Sequence, residues 1–372
     1  MIQDQTCAPE PGTASRIRFT NREASAFVAE LKAGVADWFA ATGKSDKANF
    51  AMVARTIILL GTLFGAYLLL ITNALPPSYN WWLVILLGVC MAGIGFGVAH
   101  DALHGAYART PWINTALGAS FDLLGANGYM WQITHNVIHH TYTNIHGIDE
   151  DLTVSPLLRL TPEADRFWFH RFQTWYALAA YSMSTLFWVF VKDFKYFLKK
   201  DLGPFQNRHH STGAITWLVA SKVAYFVYAL VLPLIFIHQP WWLILLGFVA
   251  VHLTAGMILG VVFQLAHVVE GIDYPTADVD GSMEHAWAVH EMVTTSNFAP
   301  RNWLLRWYVG GLNYQIEHHL LPRVCSIHYP KLSPLVRRLA AQHGIPYNEH
   351  PTLRAAVRSH WRMLHSLGRA PV

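Results

Sequence analysis

Four stretches of almost unbroken apolar residues organise this chain: 51–72, 81–99, 215–237 and 241–263. Each is close to the roughly 20 residues that carry an α-helix across a bilayer core. Only residues 73–80 separate the first two, and only His238-Gln239-Pro240 the last two, so the runs pair into two hairpins. A fifth stretch, from Phe167 to Phe190, is also apolar. It begins with His170, Arg171 and Gln173 and is followed by Lys192 and Asp193, and hydropathy alone leaves open whether it crosses. Near the N-terminus, Phe27, Val28, Leu31, Val35, Trp38 and Phe39 recur at helical spacing against Glu30, Lys32 and Asp37. This pattern over residues 23–39 fits an amphipathic helix lying on a membrane surface, or an ordinary packed helix.

Composition settles the class. With 53% hydrophobic and 13% charged residues in 372, the chain is expected to be an integral membrane protein rather than two soluble domains. The basic residues set the topology. Lys and Arg number seven up to Arg55, nine between His100 and Ala214, and ten from Arg301 onward, while neither hairpin turn has any. By the positive-inside rule the N-terminus, the middle segment and the C-terminus all face the cytoplasm. That requires four spans, with residues 167–190 lying along the interface. The net charge of +4 follows this topology and gives no nucleic-acid-binding stripe. Cys7, Cys90 and Cys325 have no metal-type spacing and suggest neither a disulfide framework nor a thiolate site. Residues 1–20 are polar, so no targeting peptide is expected. The expected division is a cytoplasmic N-terminal segment, 1–50, followed by one membrane domain, 51–372.

The polar positions with chemical potential are histidines. In the run His135-Asn136-Val137-Ile138-His139-His140, α-helical geometry places His135 and His139 one turn apart, suited to one metal. His140 lies about 100° round from His139, toward a neighbouring metal. His100-Asp101-Ala102-Leu103-His104 repeats the i,i+4 spacing where the second span ends. Gln315-Ile316-Glu317-His318-His319 offers i, i+3 and i+4, and His267 follows the fourth span. In a four-span topology all of them reach one membrane surface. His100, His104, His135, His139, His140, His267, His318 and His319 could therefore hold two metal ions with positions left open.

Neutral imidazole suits iron, copper, nickel or zinc, and a paired open site can bind dioxygen. Such ligands need carboxylates to accept their other ring N–H. Asp101, Asp149, Glu150, Asp151 and Glu317 are placed to do so, and Gln315 and His290 are further candidates for metal contact. His252, midway through the fourth span, reads as a helix-packing residue. His209 and His210 read as solvated in a basic loop, and His328, His343, His350, His360 and His365 lack ligand spacing.

The series HDALH, HNVIHH and GGLNYQIEHHLLP, interleaved with two membrane hairpins, resembles the membrane fatty-acid desaturase family. The glutamine opening the third motif resembles the front-end and linoleoyl-CoA desaturase-like branch. So do residues 144–152, the stretch WAVHEMVTTSNF at 287–298, and residues 327–346. The resemblance implies an all-α integral membrane fold, with four transmembrane helices under a cytoplasmic helical cap that holds a histidine-rich dimetal site. It further implies two non-haem iron ions at the eight histidines, dioxygen as co-substrate, and a fatty acyl substrate that gains a cis double bond. Gln315 stands where the stearoyl-type branch has histidine.

No histidine precedes His100, so a fused cytochrome b5 domain with its two axial histidines is not expected. Electrons would come from a separate donor of ferredoxin or cytochrome b5 type with its reductase, which points to a bacterial inner-membrane enzyme. Residues 112–131 would suit an acyl channel wall or a packed interfacial surface. Hydroxylation and acetylenic-bond formation use the same scaffold. A membrane metal transporter is the reading from another class, and it calls for ionisable ligands within the spans, where only Lys222 and His252 fall.

Overall fold

The structure is a computed structural model that describes residues 17–19, 24–152 and 156–370. Its N-terminal helix, α1 (Ser25–Thr42), buries Phe27, Leu31 and Val35. Their partners are Leu332, Val336 and Leu339, on a helix from the far end of the chain. The membrane-surface reading of this helix is thereby corrected. An amphipathic stripe shows that a face must be covered, and periodicity does not say by what.

Among the described residues, four helices are long and apolar enough to cross a membrane. They are α2 (Phe50–Ile71), α3 (Pro77–Leu103), α6 (Thr212–Phe236) and α7 (Trp241–His267). The α2 helix starts where Asn49 caps it, its side-chain oxygen accepting from the Met52 N–H at 3.1 Å. It stops at Asn73, whose φ of 52° leaves the helical region. Asn73 then joins the two hairpin turns, donating to the Phe236 carbonyl (2.8 Å) and accepting from the His238 N–H (2.9 Å). Between α3 and α7 the contact is close because position 88 is glycine. A Cβ there would stand 2.6 Å from the Thr254 Cβ and 2.7 Å from the Val251 carbonyl oxygen.

Between the four spans lies an apolar cavity of about 700 Å³, lined among others by Leu63, Tyr67, Met91, Leu124, Tyr228 and Val251. Of residues 112–131, only Leu123 and Leu124 reach it; Trp112 is exposed.

Several short helices precede α6, and two of them matter for the site. One is α4 (Gln132–His139), which is π-helical, and the other is α5 (Gln173–Ser182). Residues 167–190 do not form a candidate span. They run beside α7 instead, where Thr185 donates to the His252 carbonyl at 2.8 Å and Tyr181 packs on Gly260. Beyond α7 come α8 (Trp287–Val293), α9 (Gln315–Leu320), α10 (Tyr329–Gln342) and α11 (Leu353–Leu367). Two parallel pairings tie this region together, Asn297–Phe298 with Glu349–His350 and Arg18–Phe19 with Ser282–Met283.

Candidate metal centre

The histidine motifs lie where regular α-helix gives way. The end of α3 is π-helical over Gly95–Ala99, just before His100. Through α4 the wider i→i+5 turn persists to the His140 N–H, which donates to the His135 carbonyl at 3.1 Å. His135 and His139 are consequently parallel, with ring centres 4.9 Å apart and planes 23° apart. Two such rings aim at separate points.

Possible ligand atoms gather in three groups, each with all members within 4.8 Å of one another: His100, His104, His135 and His318; His139, His267 and His319; and His140, His318 and His319. The expectation that His135 and His139 serve one ion is corrected, since they fall in different groups. His139 and His140 also share no group. All eight histidines named from the sequence are thus brought together.

The Nε2 atoms of His104, His135, His139, His140, His267, His318 and His319 are buried and have no hydrogen-bond partner. Orphaned polar atoms of this kind are costly unless something binds them. The opposite ring nitrogens of four of them are anchored, while Nδ1 of His140 and of His267 is without a hydrogen-bond partner as well. His139 Nδ1 lies 2.9 Å from Asp149, and His135 Nδ1 lies 3.1 Å from Asp151. His319 Nδ1 lies 2.6 Å from Glu291, and His318 Nδ1 lies 3.4 Å from the Tyr329 hydroxyl. His100 Nδ1 is 3.6 Å from Asp101, whose other oxygen accepts from Ser326 N and Oγ. Carboxylate-backed imidazoles with free Nε2 atoms are the donor set of a histidine metal site.

Burial favours the neutral, ligating form of most of these rings. Burial, reinforced by neighbouring histidines, holds His104, His140, His318 and His319 well below the ordinary imidazole range. Burial pushes His135 down to about 3 against the pull of Asp151. At His139 burial works the same way, but Asp149 outweighs it and leaves the pKa raised. Asp151 is itself held well below the usual carboxylate range: burial opposes its charge, and Lys192, 2.8 Å away, together with His135 overcomes it.

The chain matches the fatty acid desaturase family over residues 76–351. It is 32% identical over 366 residues to an sn-1 linoleoyl-lipid 6-desaturase of Synechocystis sp., covering 96% of this chain and 99% of that one. A protein of the same description from Arthrospira platensis is 31% identical, with 96% and 97% covered. An acyl-lipid (8-3)-desaturase of Physcomitrium patens is 30% identical over 95% of this chain and 74% of its own. The chain belongs to the fatty acid desaturase family. It is therefore a membrane oxidoreductase that acts on a fatty acyl substrate.

Several candidates lie elsewhere in this desaturase. His290 does not join the cluster: its Nε2 bonds the Thr143 carbonyl at 2.9 Å and its ring meets Phe19 edge-on. Glu317 is buried beside His318 in sequence, yet its oxygens accept from Asn297 (2.8 Å) and Tyr347 (2.7 Å) rather than from a histidine. Glu150 pairs with Lys199. Gln315 is buried in the first turn of α9. His252 does pack helices, between Tyr225 and Thr185. His209 is exposed, but His210 is not merely solvated, since it stacks on Phe197 and bonds Tyr129.

Glu291 was not singled out from the sequence, although it lies one residue from His290 in a stretch that resembles the family. Also missed were Lys192, Tyr329 and Trp131, the last stacked on His135 at 4.3 Å. Spacing could not have found Glu291, Lys192 or Tyr329, which reach the site from other elements, whereas Trp131 stands four residues before His135 on one continuous helical run.

Proposed function

We propose that this desaturase introduces a cis double bond into an acyl chain carried on a lipid, with two iron ions held by the eight histidines. The observation that carries this reading is the set of buried Nε2 atoms without partners, facing one another with carboxylates behind three of the rings. The similarity to linoleoyl-lipid and acyl-lipid desaturases supports the lipid-linked substrate.

His100, His104, His135 and His318 would hold one ion, and His139, His267 and His319 the other, with His140 between them. When bound, the iron pair would supply the oxidation: dioxygen, two electrons and two protons are consumed, one hydrogen leaves each of two adjacent methylenes, and two waters form. The protein's own part is to hold the ligands in a single tautomer. Asp149, Asp151 and Glu291 accept or share the Nδ1 proton and keep each Nε2 lone pair facing inward.

Apolar walls exclude water, with Trp131 covering His135 and Phe263 packed against His139 and His267. The cavity among the spans supports an acyl path. Met91, on its lining, lies nine residues before His100, about 13 Å along the helix. The histidine surface is assigned to the cytoplasm on the positive-inside argument, with a separate reduced carrier as electron donor.

Expression in a host without desaturases, followed by lipid profiling, tests this directly. A new cis double bond is expected on glycerolipid acyl chains, along with about two irons per purified chain. An oxygen atom retained in the product would make the protein a hydroxylase. Metal movement across vesicles without dioxygen consumption would make it a transporter.

A further inference from the structure

The C-terminal helix α11 carries a surface that the metal centre does not explain. Its buried residues Ala356, Ser359, His360, Leu364 and Leu367 fix its height in the fold. His360 Nδ1 bonds the Val268 carbonyl (2.7 Å), and the Glu270 N–H donates to Ser359 Oγ (2.8 Å). The helix therefore lies beside the end of α7, where that span meets the membrane surface.

On the opposite face Arg354, Arg358 and Arg362 are exposed and fall on one strip, since i, i+4 and i+8 share a side of an α-helix, and exposed Arg369 follows just past the helix end. Among the described residues, the carboxylate paired with this strip is Glu270, 3.5 Å from Arg362 at the exposed rim. Along one edge runs a second strip, with Leu353 and Val357 exposed and Trp361 half-buried.

Both ends of the helix adjoin exposed aromatic residues. At the C-terminal end the Leu364 carbonyl accepts from Gln173, next to Trp168, Phe172 and Trp175, and Trp175 is 86% exposed. At the N-terminal end the His350 carbonyl accepts from Ala299, close in sequence to exposed Trp303 and Leu304. Tryptophans flanking a helix that shows an apolar strip beside an arginine strip describe a helix in the membrane–water interface, with guanidinium groups at headgroup level.

We propose that α11 binds anionic glycerophospholipid, its arginines pairing with the phosphates, and that such lipids carry the acyl chains delivered to the metal centre. The substrate half of this rests on the function proposed above; the headgroup contact does not. A soluble acidic carrier would meet the arginines but leave the apolar strip and the flanking tryptophans unexplained.

The test uses the full chain in bilayers, with spin-labelled phosphatidylglycerol and phosphatidylcholine as probes. The labelled anionic lipid is expected to be held preferentially. Arg354→Gln/Arg358→Gln/Arg362→Gln is expected to weaken that preference by about fivefold per arginine at low salt, on the order of a hundredfold together. Lys331→Gln/Arg338→Gln on α10 is expected to preserve it. Equal retention of the two lipids by the unaltered chain, or a preference untouched by the triple substitution, would overturn the proposal. So would a rise in the KM for reduced ferredoxin with lipid preference unchanged, since the strip would then belong to a protein carrier. Lipid preference is read without turnover, so its failure is distinct from failure of the desaturase reading. Turnover of chains on phosphatidylcholine equal to that on phosphatidylglycerol would remove the substrate half alone.

Discussion

Asp149 and Glu317 separate the influence of geometry from that of sequence adjacency. Both are carboxylates with no exposed surface, and both are close to a histidine in sequence. Asp149 bonds His139 Nδ1 at 2.9 Å, whereas Glu317 bonds Asn297 and Tyr347 rather than a histidine. Asp149→Asn keeps the shape but removes the charge that fixes the His139 tautomer. Loss of such a partner is expected to lower metal affinity by about 10–100-fold, or about 1.4–2.7 kcal/mol. Turnover should fall at limiting iron. Burial already pushes Glu317 toward its neutral form, so Glu317→Gln is expected to cost only about 1–3 kcal/mol of stability through its altered hydrogen bonds. Its metal affinity should be unchanged. Iron content measured by mass spectrometry after dialysis against graded chelator, together with thermal unfolding in detergent, resolves the two effects. Equal iron loss in both variants, or full retention in Asp149→Asn, would refute the role assigned to Asp149.

Further outcomes follow from the same contacts. His139→Ala and His318→Ala are each expected to abolish turnover while membrane insertion persists; activity in both would remove the site assignment. Lys222→Met strands the buried Asp193 carboxylate, 2.7 Å away. It should cost about 3–5 kcal/mol in unfolding measurements, and Lys222→Met/Asp193→Leu should recover most of that loss. For the chelated protein, His104, His135, His140, His318 and His319 have folded pKa values below the unfolded value of about 6.5. The unfolded state then binds more protons in this range, so stability is present above about pH 6.5 and falls as the pH drops below it. His139, with its raised pKa, opposes this in part. A stability profile flat from about pH 7 to pH 5 would contradict the buried, neutral cluster.

What could be read from the sequence was local. A transmembrane span is a continuous apolar run, and all four were visible because the bilayer imposes a length and a composition on each helix separately. The eight histidines were visible because motif spacing places them at the ends of elements, and the parity of the spans brings those ends to one surface.

Tertiary structure decided which groups meet. The π-helical turn separates His135 from His139, a change in hydrogen-bond register that α-helical spacing does not announce. Glu291 reaches His319 from α8, while neighbouring His290 turns away to Thr143 and Glu317 turns to Tyr347. The apolar stripe of α1 found α10 rather than lipid. In each case the sequence determined that a polar group needed a partner or an apolar face needed cover, because those costs belong to the residue itself. The choice of partner belonged to the packing, since it depends on which distant elements the four spans bring together.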